Sequence, residues 1–153
     1  IGASLKMLTD LERIADHASD IAELTIRLAG TPALAVPNGI FQMAEKTRNM
    51  LRMALDAFVR QDTALAEAVC KADDEVDDMF TGLVLDRVNV MKADASKVEA
   101  SIDMMFIVKY LERMGDHATN IAEWVIYNTT GQHGHLQHPE AHPERERLDR
   151  EDG

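Results

Sequence analysis

One twelve-residue phrase occurs twice in the chain, one hundred positions apart: ERIADHASDIAE at Glu12 to Glu23 and ERMGDHATNIAE at Glu112 to Glu123, with eight letters in common. Packing of an amphipathic helix constrains the apolar letters. Here Glu-Arg, Asp-His and the closing Glu recur as faithfully, so the repeat marks a duplicated structural unit that carries chemistry as well as shape. It also limits the fold, because a helical phrase that returns after so long an interval must enclose whole helices between its copies.

Periodicity supplies those helices. From Ala3 to Ala29, the residues Met7, Leu11, Ile14, Ala18, Ile21 and Leu28 fall at spacings of three, four or seven and trace one helix face, which Gly30 and Pro32 end. The stretch 31–39, with Pro32, Pro37 and the pair Asn38-Gly39, reads as a linker. A second helix is predicted from about Ile40 to Arg60. Asp62 is placed to cap a third, with Leu65, Val69, Ala72, Val76, Phe80, Leu83 and Val84 on its buried face, fading near Met91 and Lys92. Ser96 and Glu99 spell a capping box for a fourth helix, which Gly131 stops. The predicted fold is all-α: an antiparallel three-helix bundle over 40–131, one additional N-terminal helix over 1–30 from a preceding repeat, and a disordered tail over 132–153. That tail holds four of the six histidines, two prolines and many charges without apolar period.

The hundred-residue offset assigns the repeating unit. Helices two, three and four together fill it, so the unit is a three-helix bundle and the first helix closes an earlier one. The expectation is that roughly seventy residues, the two opening helices of that earlier unit, precede Ile1.

Acidic pairs supply the candidate site. Residues four apart share a helix face, so Glu112 and Asp116 form one carboxylate pair and Asp73 and Asp77 another, at the edge of the apolar stripe. Helices three and four are joined by a short turn near Asp94 and Ala95 and should be antiparallel neighbours. Asp77 with Glu112, and Asp73 with Asp116, are each symmetric about that turn, so the two pairs meet at one depth, about 26 Å from it at 1.5 Å per residue. Four carboxylates about 5 Å apart would repel by roughly 3 kcal/mol per pair at an effective dielectric of 20. Protonation, the neighbours Lys109 and Arg113, or a bound cation must offset that. Carboxylate oxygens without Cys are hard ligands, suited to Mg, Ca, Mn or Fe rather than structural zinc. Glu12 and Asp16 repeat half of the site without a facing pair, so they should bind weakly or borrow ligands from another molecule. His17 and His117 are candidate outer ligands. A solvated face with salt bridges such as Arg113 to Asp116 is the plainer alternative for any single pair; repetition and matched depth favour the cation.

Bulk composition narrows the function class. A formal charge of −11 argues against nucleic acid as partner, because binding a polyanion begins with Lys and Arg neutralising phosphates. Cys70 is the single cysteine, which points to a reducing cytoplasm, and no apolar run approaches the roughly 20 residues of a membrane span. A di-metal carboxylate enzyme of the ferritin type would need Glu-x-x-His, and no Glu here has His three residues on.

The segments LERMGDHATNIAEWVIYNTTGQ and DAFVRQDTALAEAVCKADDEVDDMF resemble the PhoU family of phosphate-signalling proteins, and the likeness runs from Leu5 to about Gln132. The resemblance implies two tandem three-helix bundles, of which this chain holds the last helix of the first and all of the second. It implies surface metal clusters on Glu(Asp)-x-x-x-Asp motifs, matched here by Glu12 and Asp16, Asp73 and Asp77, and Glu112 and Asp116; the expected ion is a hard divalent or trivalent cation, Mn, Fe or Mg, on the strength of the donor set. It also implies a non-enzymatic cytoplasmic adaptor that represses the phosphate-starvation response by contacting a phosphate ABC transporter ATPase and a sensor histidine kinase. A PhoU-like module serving another transporter or channel is the alternative. The first helix, with its exposed apolar stripe, should pack on the bundle or on another copy, giving a four-helix arrangement or a swapped dimer. The His-rich tail lies outside the family pattern and could take up Zn or Ni opportunistically.

Overall fold

Four helices account for most of the residues described by the computed structural model, which are 2–31 and 35–131. They are α1 (Gly2–Ala29), α2 (Asn38–Arg60), α3 (Thr63–Ala93) and α4 (Val98–Thr130), with a 3-10 turn at Ala95–Lys97 between the last two. No strand occurs among the described residues. The predicted tail and part of the predicted linker fall outside them.

Local chemistry sets the joints. Asp62 caps α3 by accepting the Leu65 N–H at 3.0 Å, and Gly131 ends α4 in the left-handed region at φ 64°. Gln61 takes the same conformation at φ 53° to close α2, steadied by its amide donating to the Phe58 carbonyl at 2.7 Å. Two expectations are corrected. Asn38 and Gly39 begin α2 instead of ending a linker, because Pro37 presets the dihedral ahead of them. The Ser96–Glu99 capping box does not form. Asp94 accepts both the backbone N–H and the hydroxyl of Ser96, at 3.0 and 2.6 Å, so the turn is tied from its own side and α4 starts at Val98 without a side-chain cap.

Helices α2, α3 and α4 pack mutually, and α1 lies along α4 alone. Met43, Met50, Val69, Val76, Met104 and Val108 fill the three-helix core with essentially no exposure, each side chain worth about 1.5–3 kcal/mol of burial. On α3 the buried positions are Ala66, Val69, Asp73, Val76, Leu83 and Arg87. Their steps of three, four, three, seven and four follow a heptad seam in which Phe80 fills the skipped position only partly buried, rotated slightly from the predicted stripe, and two charged residues sit on it.

The apolar stripe of α1 is covered within the chain, against α4: Ile14 is buried and Met7, Leu11, Ile21 and Leu28 are partly so. The pair is antiparallel, because Asp10 meets Asn120 near one end while Arg27 binds Asp103 near the other. The opposite face of α1 is open. Leu8, Glu12 and Ile26 are exposed there, whereas the residues one hundred positions on, Val108, Glu112 and Ile126, are buried under α2 and α3.

Candidate metal centre

The antiparallel α3–α4 pair places Asp73, Asp77 and Asp116 so that one carboxylate oxygen from each lies within 4.8 Å of the others. A single ion can span such a set: oxygens on opposite sides of a Ca-sized ion, bonded at 2.3–2.6 Å, stand about 5 Å apart, and about 4 Å for Mg. Asp73 is the buried member, 7% exposed, while Asp77 and Asp116 are half-buried toward solvent. Gly115 faces Asp73 from α4. The Cβ it lacks would stand 3.6 Å from Asp73 Oδ1 and 3.7 Å from Met50 Cε, so α4 presents only backbone where α3 presents an acid.

Electrostatics follow from the burial. Desolvation, and then the charges of Asp116, Asp77, Asp74 and Glu112, push the Asp73 carboxyl up to about 7. Its Oδ1 is enclosed and has no hydrogen-bond partner. A buried acceptor left unsatisfied costs about 1–3 kcal/mol, and a hard cation satisfies such an oxygen and offsets the repulsion of its neighbours. The donor set, carboxylate oxygens with no thiolate or imidazole, fits that kind of ion.

The other predicted residues stand elsewhere. Glu112 is 2% exposed on the seam, and Lys109 donates to its Oε2 at 2.6 Å while the same ammonium rests 5.1 Å from the centre of the Phe80 ring. It borders the three clustered aspartates as part of an ion pair. Glu12 and Asp16 project from the open face of α1, exposed and outside the acidic cluster found among the described residues, because α1 packs along α4 with its other side. His117 turns toward α1: its Nδ1 is 2.8 Å from Asp10 Oδ1, which Asn120 also reaches at 3.2 Å. The His17 ring stacks between Tyr110 and His117, with centroids 5.4 and 5.9 Å away. Burial, then His117 and Arg113, hold the His17 pKa below its ordinary value. Both histidines thus belong to the α1–α4 joint. Asp10, its buried acceptor, escaped sequence reasoning, since the repeat puts Tyr110 at the matching position.

Residues 40–125, more than half of the chain, match the family model described as PhoU domain. The chain belongs to the PhoU family. It is 40% identical over 131 residues to the phosphate-specific transport system accessory protein PhoU homolog of Clostridium acetobutylicum, covering 86% of this chain and 60% of that protein. The Zymomonas mobilis homolog of the same name is 37% identical over 129 residues, covering 84% and 54%. Among solved structures, PhoU from Pseudomonas aeruginosa superposes with a TM-score of 0.80 at 32% identity, covering 85% of this chain and 66% of that one. The phosphate transport system regulatory protein PhoU from Streptococcus pneumoniae shares the fold, with a TM-score of 0.76 at 24% identity and coverage of 85% and 65%. This PhoU chain therefore spans about 60% of the length of the Clostridium relative. No helix among its described residues is long and apolar enough to cross a membrane.

Proposed function

We propose that this chain is a metal-binding adaptor, not an enzyme, that restrains phosphate uptake and the phosphate-starvation response from the cytoplasm. Support for the regulatory role comes from its family and from relatives named as accessory proteins of phosphate-specific transport. The partners are the ATPase of a phosphate ABC transporter and a phosphate-sensing histidine kinase, and the adaptor works as a homo-oligomer. Asp73, Asp77 and Asp116 hold Mn, Fe or Mg, and Glu112 beside them is poised to join once the ion competes with Lys109. Glu12 and Asp16 serve a second, weaker site, completed by ligands borrowed from another molecule.

The observation that carries the metal reading is the buried, unpartnered Oδ1 of Asp73 among other carboxylates. A bound ion converts mutual repulsion into cross-linking of α3 to α4, and its charge changes the surface that a partner meets. Elemental analysis of protein ending at residue 131, which removes the His-rich segment, tests this. Mn or Fe should co-purify with the parent and be lost from the double variant Asp73→Asn, Asp116→Asn; equal metal content in the two would refute the assignment. For the partners, affinity capture from phosphate-replete cells should recover the transporter ATPase and the kinase, and capture of neither would refute the adaptor reading.

A further inference from the structure

Arg87 occupies on α3 a seat normally reserved for apolar side chains. It lies two heptads beyond Asp73, and Ser101 lies two heptads before Gly115 on α4. Because Asp73 sits against Gly115, the antiparallel register brings Arg87 against Ser101 at the far level of the same seam. The third wall differs between the levels. At Asp73 it is Met50 of α2. Two heptads back from Met50 is Val36, which precedes the start of α2 at Asn38 and packs against the core, so the level of Arg87 lies just beyond the N-terminus of α2. Leu83, one turn before Arg87, confirms the placement, since its side chain fills the space where Gly39 would carry a Cβ.

Two positive features therefore share this end of the bundle, and among the described residues no acid pairs with either. The Arg87 side chain is buried, 8% exposed; its Nε has no hydrogen-bond partner, and Nη1 donates only to the thioether of Met104 at 3.6 Å. The first turn of α2 has neither an acidic residue nor a side-chain cap; the Ile40 N–H is taken by the Pro37 carbonyl at 3.0 Å, and the positive pole of the helix has no side-chain partner. The Ser101 hydroxyl, fully buried, also has no partner. Asp103, two positions along α4, is engaged by Arg27 of α1. A guanidinium cannot shed its proton, and burying it unpaired is costly.

We infer that this end of the bundle binds a small tetrahedral oxyanion of the inorganic phosphate class. The guanidinium fork of Arg87, the hydroxyl of Ser101 and the first-turn N–H groups of α2 approach from three helices, and a tetrahedral anion offers oxygens in three directions where a carboxylate offers two. The site is independent of the acidic cluster, which lies about 21 Å away along α3 at 1.5 Å per residue.

Titration of the full chain with inorganic phosphate at fixed ionic strength, followed by 15N NMR, decides the matter. The Arg87 Nε–H and Gly39 N–H resonances should shift saturably, sulfate should compete, and chloride should not. Arg87→Met, which keeps the apolar stem, should weaken binding at least about tenfold, the loss expected on removing charge-assisted hydrogen bonds. Ser101→Ala should weaken it about threefold, as for one neutral hydrogen bond. The absence of saturable shifts in the parent, or equal binding by Arg87→Met, overturns the inference. Should Arg87→Met fail to fold, the parent titration and Ser101→Ala still decide it.

Discussion

Replacing Asp73 by Asn separates the electrostatics of the acidic cluster from its packing. In the folded chain this carboxyl is pushed from 3.8 up to about 7 by burial and by the surrounding carboxylates. A group whose pKa rises on folding binds its proton more tightly in the folded state, so stability is highest below the unfolded value and falls as pH rises through the window from about 4 to about 7. At 1.36 kcal/mol per unit, the ionised side chain costs the metal-free fold about 4 kcal/mol above that window and roughly 2 kcal/mol at pH 5. Asn removes the charge but leaves a buried amide without its full set of partners, which returns about 1–3 kcal/mol. Metal-free Asp73→Asn should therefore be more stable than the parent by about 1–3 kcal/mol at pH 8, with the advantage nearly gone at pH 5. Urea denaturation in the presence of a chelator, at both pH values, measures this. A variant less stable than the parent at pH 8, or a difference unaffected by pH, would sink the argument that Asp73 is desolvated beside like charges. Adding Mn should reverse the order at pH 8, because ligand binding stabilises the folded parent and not the variant.

Two further perturbations test the packing that positions the cluster. Gly115→Ala places a Cβ in ordinary van der Waals contact with Asp73, Val76 and Met50, so relief of glycine's helix penalty should raise thermal stability by about 0.5–1 kcal/mol; a loss of stability would show that the helices cannot accept the methyl. Asp10→Ala removes the acceptor shared by His117 and Asn120 across the α1–α4 joint. It should cost about 1–3 kcal/mol and accelerate amide hydrogen exchange in α1 more than in α3; unchanged exchange would mean that the apolar stripe of α1 holds it in place unaided.

The legible part of the candidate site was its register. Once Asp94 and Ala95 are read as a turn, the common rise of two antiparallel helices brings Asp73 level with Asp116 whatever the side chains do. Depth was harder to read. Counting only apolar letters put Asp73 one step past the buried stripe and passed over Arg87, yet Ala66, Val69, Asp73, Val76, Leu83 and Arg87 follow one heptad seam, with Phe80 partly buried at the skipped position. Arg87 could have been found that way, two heptads past an acid already under suspicion. Asp10 could not, because its importance comes from residues more than one hundred positions away.

The linear chain by itself determined the four helices, the caps at Asp62 and Gly131, the antiparallel register and the PhoU resemblance, since each depends on local dihedral preference, on apolar period or on letters repeated at fixed offsets. Only the tertiary structure decided which carboxylates converge. Glu112 pairs with Lys109 while Asp116 joins Asp73 and Asp77, a choice made by side-chain reach and by neighbours from other elements. It likewise decided that α1 lies on α4 within the chain, which buries one face of α1 and leaves Glu12 and Asp16 on the other. Repeated letters carry the same chemistry only where the same helices cover them, and that cover is a property of assembled elements.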